Sequence, residues 1–292
     1  MRLFCLILLL LPSSLPGLLL GQGELGLLVG ISNYQGDLPS YSTQDGFKAL
    51  IGPVIGVHGG FELNKSFRLR ADLLYTRLAG DDALAEKEET RQRNLDFFAP
   101  VIQLAIGGDW NILGFNSTAV GSFTPYVTVG ASIFYFNPKT IYMGDKVALH
   151  PLGTEGQYLD DYPDQKPYSL FQPTLQIGGG LKLLATDQLI LAIEGTFSYT
   201  FTDYIDDAST IYIPYPELLE KAGPLTAALA NRIGEYLGTD PVILPENIGR
   251  ANADSRDYFG MFTLRATMPI EIAINKYKIR RHNNKTIGTP KF

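Results

Sequence analysis

Eight stretches of this chain alternate apolar and polar residues with a period of two, and each keeps this up for about 10–13 residues. In Phe67 to Thr76, the residues Phe67, Leu69, Ala71, Leu73 and Tyr75 form one face and Arg68, Arg70, Asp72 and Thr76 the other. Leu189 to Phe201 sets Leu191, Ile193, Phe197 and Tyr199 against Ala192, Glu194, Thr196 and Ser198. The remaining segments are Glu24–Tyr34, Pro53–Leu63, Val101–Ile112, Pro125–Tyr135, Thr174–Leu183 and Tyr258–Met268. Strands of soluble sheets usually run about 5–6 residues, whereas a tilted strand crossing a bilayer needs about 9–11. In a soluble sandwich the second face meets water and collects Lys and Glu. Here it collects Gly, Ser, Thr and a few charges, as a narrow barrel lumen does. Aromatics gather near the segment ends (Phe67, Tyr75, Trp110, Phe123, Tyr135, Tyr199), where amphipathic rings sit among lipid headgroups.

The order of connections supports the same reading. Odd-numbered connections take about 15, 13, 34 and 55 residues and even-numbered ones about 3, 9 and 4, the alternation of outer loops and periplasmic turns. The expectation is an all-β fold: an eight-stranded antiparallel up-and-down transmembrane barrel with long extracellular loops, one containing a helix. A lipocalin-like soluble barrel is the structural rival, but it has no reason to place every long loop at one end. Only 18% of residues are charged, below the roughly 25% of ordinary soluble proteins. Mean hydropathy lies just above zero, too low for a bundle of membrane-spanning helices and too high for disorder. The net charge of −6 gives no footprint for nucleic acid.

Residues 1–21 read as a secretory signal peptide: Met1-Arg2, the apolar run Leu3 to Leu11, a break at Pro12 to Gly17, and cleavage near Gly21. The single cysteine, Cys5, lies in that leader, so the mature chain is expected to carry no disulfide. Residues 22–275 are assigned to the outer-membrane barrel and 276–292 to a basic periplasmic tail. That tail holds Lys276, Lys278, Arg280, Arg281, Lys285 and Lys291 and no acid, which suits anionic headgroups or an acidic partner. Disorder is the plainer reading of such a charge run.

With polar faces inward, Glu62, Asp72, Asp109 and Glu194 meet Arg68, Arg70, Lys182 and Arg265, with His58 nearby. An eight-stranded lumen is just wide enough to be filled by side chains, and buried charges must be paired. The expected product is a salt-bridged plug rather than a diffusion pore, which needs about 16–18 strands. The three histidines, His58, His150 and His282, show no spacing with Ser and Asp or Glu that points to a triad, so no enzyme activity is expected. A lipid-modifying barrel would require His58 or His150 as the base. Asp81-Asp82 and Asp203-Tyr204-Ile205-Asp206-Asp207 offer carboxylates that could suit Ca²⁺, without an EF-hand pattern. Such acids are expected to be solvated, and neither a cofactor nor a metal is assigned. Pro216 to Leu237 reads as one helix, with Leu225, Leu229, Ile233 and Leu237 at four-residue spacing, lying over the barrel mouth or against another protein.

Seven strings carry a family resemblance: Ser32–Leu38, Leu78–Asp82, Arg93–Phe97, Phe123–Tyr126, Phe136–Lys139, Pro151–Gln157 and Phe201–Thr210. In that order they resemble the PorG family, outer-membrane barrels of the type IX secretion system of Bacteroidetes. The resemblance spans roughly Glu24 to Met268. It implies a non-enzymatic part of the export machinery, associated with the periplasmic ring of the lipoprotein PorK and its partner PorN, in a system that supports gliding in some species. It implies outer-membrane lipid as surroundings, no cofactor and no catalytic residue. Candidate contact positions are Asp81, Asp82, Thr154, Glu155, Asp203, Tyr204, Asp206, Asp207, Lys276, Lys278, Arg280 and Arg281. The rival reading is a stand-alone surface barrel that binds an extracellular ligand or adhesion partner through acidic loops.

Overall fold

A computed structural model of the chain describes residues 22–43, 48–245 and 247–271. The assigned leader and the basic tail, with Lys276, Lys278, Arg280 and Arg281, lie outside the described residues. The eight expected segments form eight long strands: β1 (Gln22–Gln35), β4 (Gly52–Glu62), β5 (Phe67–Asp81), β6 (Asp96–Asn111), β7 (Phe123–Phe136), β10 (Phe171–Thr186), β11 (Leu189–Thr200) and β12 (Tyr258–Glu271). Each pairs antiparallel with the next, and β1 closes on β12 from Gln22↔Glu271 to Gln35↔Tyr258. Closure leaves these eight strands without a free edge, which is what lets strands stand in hydrocarbon.

One end carries the long connections 36–51, 82–95, 137–170 and 201–257, and the other the short ones 63–66, 112–122 and 187–188. In the 63–66 turn Asn64 Oδ1 accepts from the backbone N–H of Ser66 (2.8 Å) and Phe67 (2.9 Å), an Asx turn that reverses the chain locally. In the 112–122 turn Phe115 folds under the lumen and is buried against Leu184 and Ile190.

The outer wall is apolar. Leu27 is 64% exposed and Ile106 65%, and Leu25, Val29, Ile55, Leu73, Leu104, Val129, Ile133, Leu175, Ile177 and Leu264 project in the same manner. Removing this much apolar surface from water is worth about 25 cal/mol per Å², so the belt requires hydrocarbon around it. It is bounded by rings. Phe67 pairs in register with Trp110 at the short-turn end, and Tyr75, Ile102, Tyr135 and Phe171 form one cross-strand row toward the long-loop end. Eight residues of tilted strand separate the two rows along β5, a height of about 20 Å, close to the ~25 Å band of outer-membrane barrels. The protein is an outer-membrane β-barrel.

Two elements exceed the sequence expectation. The hairpins β2–β3 (Tyr41–Ser42, Lys48–Ala49) and β8–β9 (Lys139–Tyr142, Asp145–Ala148) stand on the long-loop end, β8 joining β6 at Phe98↔Lys139. A short helix α1 (Glu88–Arg93) lies in the second long connection. The helix expected over 216–237 is three: α2 (Tyr215–Lys221), α3 (Pro224–Ala230) and α4 (Ile233–Leu237). Gly223, at φ +90°, and Pro224, which has no N–H to give to the preceding turn, end α2; Asn231 is extended and ends α3. Of the four-residue stripe, Leu229 is buried whereas Leu225 and Leu237 are exposed.

Candidate functional site

The lumen is the first place where chemistry concentrates. Residues of even number on β1, β4 and β5 point inward, and by this parity Glu24, His58, Arg68, Arg70 and Asp72 share the interior with Asp109, Lys182, Glu194 and Arg265. Arg70 donates to Glu194 through two bonds (Nη1–Oε2 2.6 Å, Nη2–Oε1 2.9 Å) and to Asp72 through Nε (2.8 Å). Arg265 donates to the same Glu194 (2.8 Å) and to the Tyr126 hydroxyl (2.7 Å), which itself donates to Glu194 (2.7 Å). Arg68 grips Asp109 (Nε 3.0 Å, Nη2 2.5 Å) and pairs with Glu24. His58 meets Asp72 at 2.5 Å, out of solvent.

Two of the lumen positions behave differently from the sequence expectation, and one was missed. Glu62 stands outside the ion-pair network at the short-turn end, where it accepts from Ser117 Oγ (2.8 Å). Lys182 is fully buried, 3.9 Å from Asp109 and between the rings of Phe115 and Tyr126, with no hydrogen-bond partner for Nζ. Glu24 takes a place that the charge inventory lacked, although its parity with Leu28 and Ser32 puts it on the inner face. A cavity of about 30 Å³, room for a water molecule, lies at mid-height beside Leu28, Arg70, Leu74, Gly107, Gly130 and Glu194. Below it Arg68, Tyr126 and Lys182 fill the lumen, and above it Phe134, Phe136 and Phe259 do.

The second concentration is a cap over the long-loop end. Its core (Leu38, Leu95, Phe97, Leu149, Ile205, Ala208, Leu229) is continuous with the upper lumen (Leu78, Phe134, Phe259, Met261). Here the structure corrects the expectation of solvated acids. Asp82, Thr154, Glu155, Asp203, Asp206 and Asp207 are all buried, and Asp81 and Tyr204 are half-buried. For Asp82, Glu155 and Asp207 the reason is pairing inside the cap. Arg93 grips Asp82 bidentately (2.8 and 2.6 Å), and Asp82 also accepts the Leu95 N–H (2.9 Å). Glu155 accepts the backbone N–H groups of Ser209 (2.9 Å) and Thr210 (3.1 Å), the Thr210 hydroxyl (2.7 Å) and Arg250 (3.0 Å). Asp207 accepts from the hydroxyls of Thr154 and Tyr168, both at 2.6 Å. Burial, against the nearby Arg250 charge and these hydroxyls, raises the Asp207 carboxyl to about 6. Burial raises that of Asp203 to about 8.

These are packing contacts, so the buried acids of these strings hold the loops to one another. Among the described residues no three His, Cys, Asp or Glu side chains converge as a metal site. His150 is engaged with the Tyr168 carbonyl oxygen (2.9 Å) in the same cap.

Residues 1–216 match the family described as DUF6089, a domain of unknown function. This chain belongs to the DUF6089 family. The matched span of this DUF6089 protein contains seven of the eight barrel strands and the Asp203–Asp207 string. No curated protein matches it. Among solved structures it is similar to Ail, the attachment invasion locus protein of Yersinia pestis, crystallised with a heparin analogue (12% identity, 85% of this chain and 99% of that one, TM-score 0.36). It is similar also to Neisserial surface protein A (11%, 84% and 96%, TM-score 0.38) and to OprG from Pseudomonas aeruginosa (7%, 87% and 98%, TM-score 0.37). The barrel itself rests on the strand pairing of this chain.

Proposed function

We propose that this DUF6089 protein is a non-enzymatic structural or assembly component of the type IX secretion machinery, similar to PorG, associating with a periplasmic ring of the PorK and PorN kind. The observation that carries the reading is where the resemblance strings fall. Ser32–Leu38, Leu78–Asp82, Arg93–Phe97, Pro151–Gln157 and Phe201–Thr210 lie far apart in sequence, yet their side chains build one cap. One cap built from five separated strings fits a fixed part of a larger assembly better than a set of independent surface loops does. The filled lumen supports an accessory role over a conduit. His58 is engaged with Asp72 inside that plug, which favours a non-catalytic reading.

In this reading the apolar belt anchors the protein in outer-membrane lipid and β12 delivers the chain to the periplasmic side at Glu271. The basic residues Lys276, Lys278, Arg280 and Arg281 then follow the last strand as a periplasmic tail. The test is crosslinking in the native envelope followed by identification of the partners. The expected result is a PorK- or PorN-like ring protein, together with loss of type IX export on deletion. Recovery of lipid alone, with export intact, would sink the proposal. The rival that binds an extracellular ligand through acidic loops would have to use the exposed Asp160, Asp161, Asp164 and Asp240, since Asp82, Glu155, Asp206 and Asp207 are enclosed.

A further inference from the structure

The seal between the barrel mouth and the longest loop contains a proton-counting problem. The Tyr34 hydroxyl lies 2.7 Å from Asp206 Oδ2 and 2.6 Å from Asp257 Oδ1, all three groups being buried. A phenol carries one hydrogen and can donate to one of these oxygens only. The other contact is a hydrogen bond only if that carboxyl brings a hydrogen of its own.

The backbone decides which carboxyl does so. Asp206 Oδ1 accepts the Ala208 N–H (3.0 Å), and Oδ2 accepts the Leu38 N–H (3.2 Å) besides facing Tyr34. A hydrogen on Oδ2 would point at donors on both sides. Asp257 Oδ2 accepts the Ile205 N–H (2.7 Å), whereas its Oδ1 faces Tyr34 alone. We infer that Asp257 is a carboxylic acid in the closed protein, donating from Oδ1 to the Tyr34 oxygen while Tyr34 donates to the Asp206 carboxylate, so that one bound proton latches the 201–257 loop onto β1.

The surroundings favour that proton. Facing the pair are Asp37 from the first loop and Asp203 from the same loop, with Arg256 beside Asp203. Among the described residues Asp203 makes no ion pair, although it is only 2% exposed. Arg93, whose charge acts on Asp206, is engaged bidentately by Asp82, and no described ion pair reaches Asp206 or Asp257. Burial and the neighbouring carboxylate raise Asp257 well above the ordinary carboxylate range, and burial and the Asp37 charge raise Asp206. When the proton leaves, two carboxylates face each other across one phenol with no cation between them, and the loop lifts from the mouth.

The sign follows from linkage. A folded-state carboxyl with a raised pKa stabilises the closed cap fully below the unfolded value of about 4, and the contribution is lost as pH rises through the folded value. The test is hydrogen exchange of residues 203–209 in the full mature chain in detergent micelles at pH 5.5, 7.0 and 8.5, each rate divided by the intrinsic rate at that pH. Protection in the wild type should fall at least tenfold across the range. In D257N the amide supplies a permanent donor to Tyr34, so protection should be high and change less than threefold. D206N, which sets an amide against the Leu38 N–H, should lose protection at every pH. Flat wild-type protection, or a D257N profile as steep as the wild type's, would overturn the inference. If D257N fails to fold, Y34F, which removes the shared phenol and leaves Asp203 and Asp207 in place, decides: a profile as steep as the wild type's would overturn the inference, and a flattened one supports it.

Discussion

Arg70 reaches across the barrel from β5 to Glu194 on β11, 124 residues away, with two parallel N–H···O bonds of 2.6 and 2.9 Å. Bidentate pairing of this kind fixes both distance and angle, so the bond sets the spacing of opposite walls. Glu194 also holds Arg265 and Tyr126, which makes it the hub of the plug.

Removing that hub should be costly. E194A leaves Arg265 without its carboxylate and strips Arg70 of its two-bond partner in a closed lumen, a loss of about 3–5 kcal/mol for a broken buried pair. E62Q serves as the contrast: Glu62 has no ion pair among the described residues and its bond to Ser117 survives the change, so the cost should stay within about 0.5 kcal/mol. Urea unfolding in detergent, read by the gel shift between folded and denatured barrel, measures both. Equal costs would mean that the network carries no special weight.

The membrane reading depends on Ile106, paired with Ala71 midway between the two aromatic rows. I106K should destabilise the barrel in lipid by about 2–4 kcal/mol, the figure for a lysine at the bilayer midplane. I141K, on the β8–β9 hairpin above the rows, should change it by less than about 0.5 kcal/mol. A leaderless chain that is monomeric and soluble without detergent would refute the belt as a lipid surface.

Within the cap, Arg93, held by Asp82 of its own loop, ties the second loop to the first through the Asp37 carbonyl (3.0 Å) and to the last through the Arg250 carbonyl (2.7 Å). R93A should expose the 201–257 loop to protease while the barrel keeps its resistance to unfolding by detergent and heat. R93K should rescue poorly, since an ammonium cannot make the planar two-bond grip. Cleavage in R93A at the wild-type rate would show that the loops hold without this tie.

How far the sequence carries depends on what period and parity can reveal. Leu69, Leu73 and Tyr75 announce a lipid face at every second position, and the ion-pair partners Arg70 and Glu194 follow from the opposite parity and the need to pair charges in a narrow lumen. The cap was not legible in this way. Glu155 and Asp207 look like solvated loop acids because their partners Arg250, Thr154 and Tyr168 come from another loop, and Asp82 because Arg93 stands 11 residues further on; no local spacing encodes either meeting. The break of the 216–237 helix was legible in Gly223-Pro224, a pair that ends helices, but the leucine spacing masked it. The shared phenol at Tyr34 required coordinates altogether.

Gly36 provides a steric test of the same seal. A Cβ built there would run into both the Tyr34 hydroxyl and Asp257 Oδ1, so only glycine lets the backbone lie over the shared bonds. G36A should therefore loosen the Tyr34–Asp257 contact and raise exchange at Ile205, whose N–H depends on Asp257. G195A, on β11, where an added Cβ meets nothing within 4 Å, should leave that exchange unaltered. Identical exchange in wild type and G36A would mean that the backbone can move aside at no cost.

A last expectation concerns Asp207 and pH. Its carboxyl is raised to about 6 by burial, against the pull of Arg250 and the two hydroxyls. Raised means that the folded state binds the proton more tightly than the unfolded chain, whose aspartates titrate near 4. The contribution to cap stability is complete below pH 4 and declines as pH passes 6. A two-unit shift corresponds to at most about 2.7 kcal/mol. D207N keeps an acceptor for one hydroxyl but cannot ionise, so the pH 4–7 slope of cap unfolding should flatten in the variant. The measurement is protease protection of residues 201–257 at pH 4, 5, 6 and 7 with a protease active throughout that range. Parallel slopes in D207N and the wild type would assign the dependence elsewhere, with Asp203, raised to about 8, as the group to replace next.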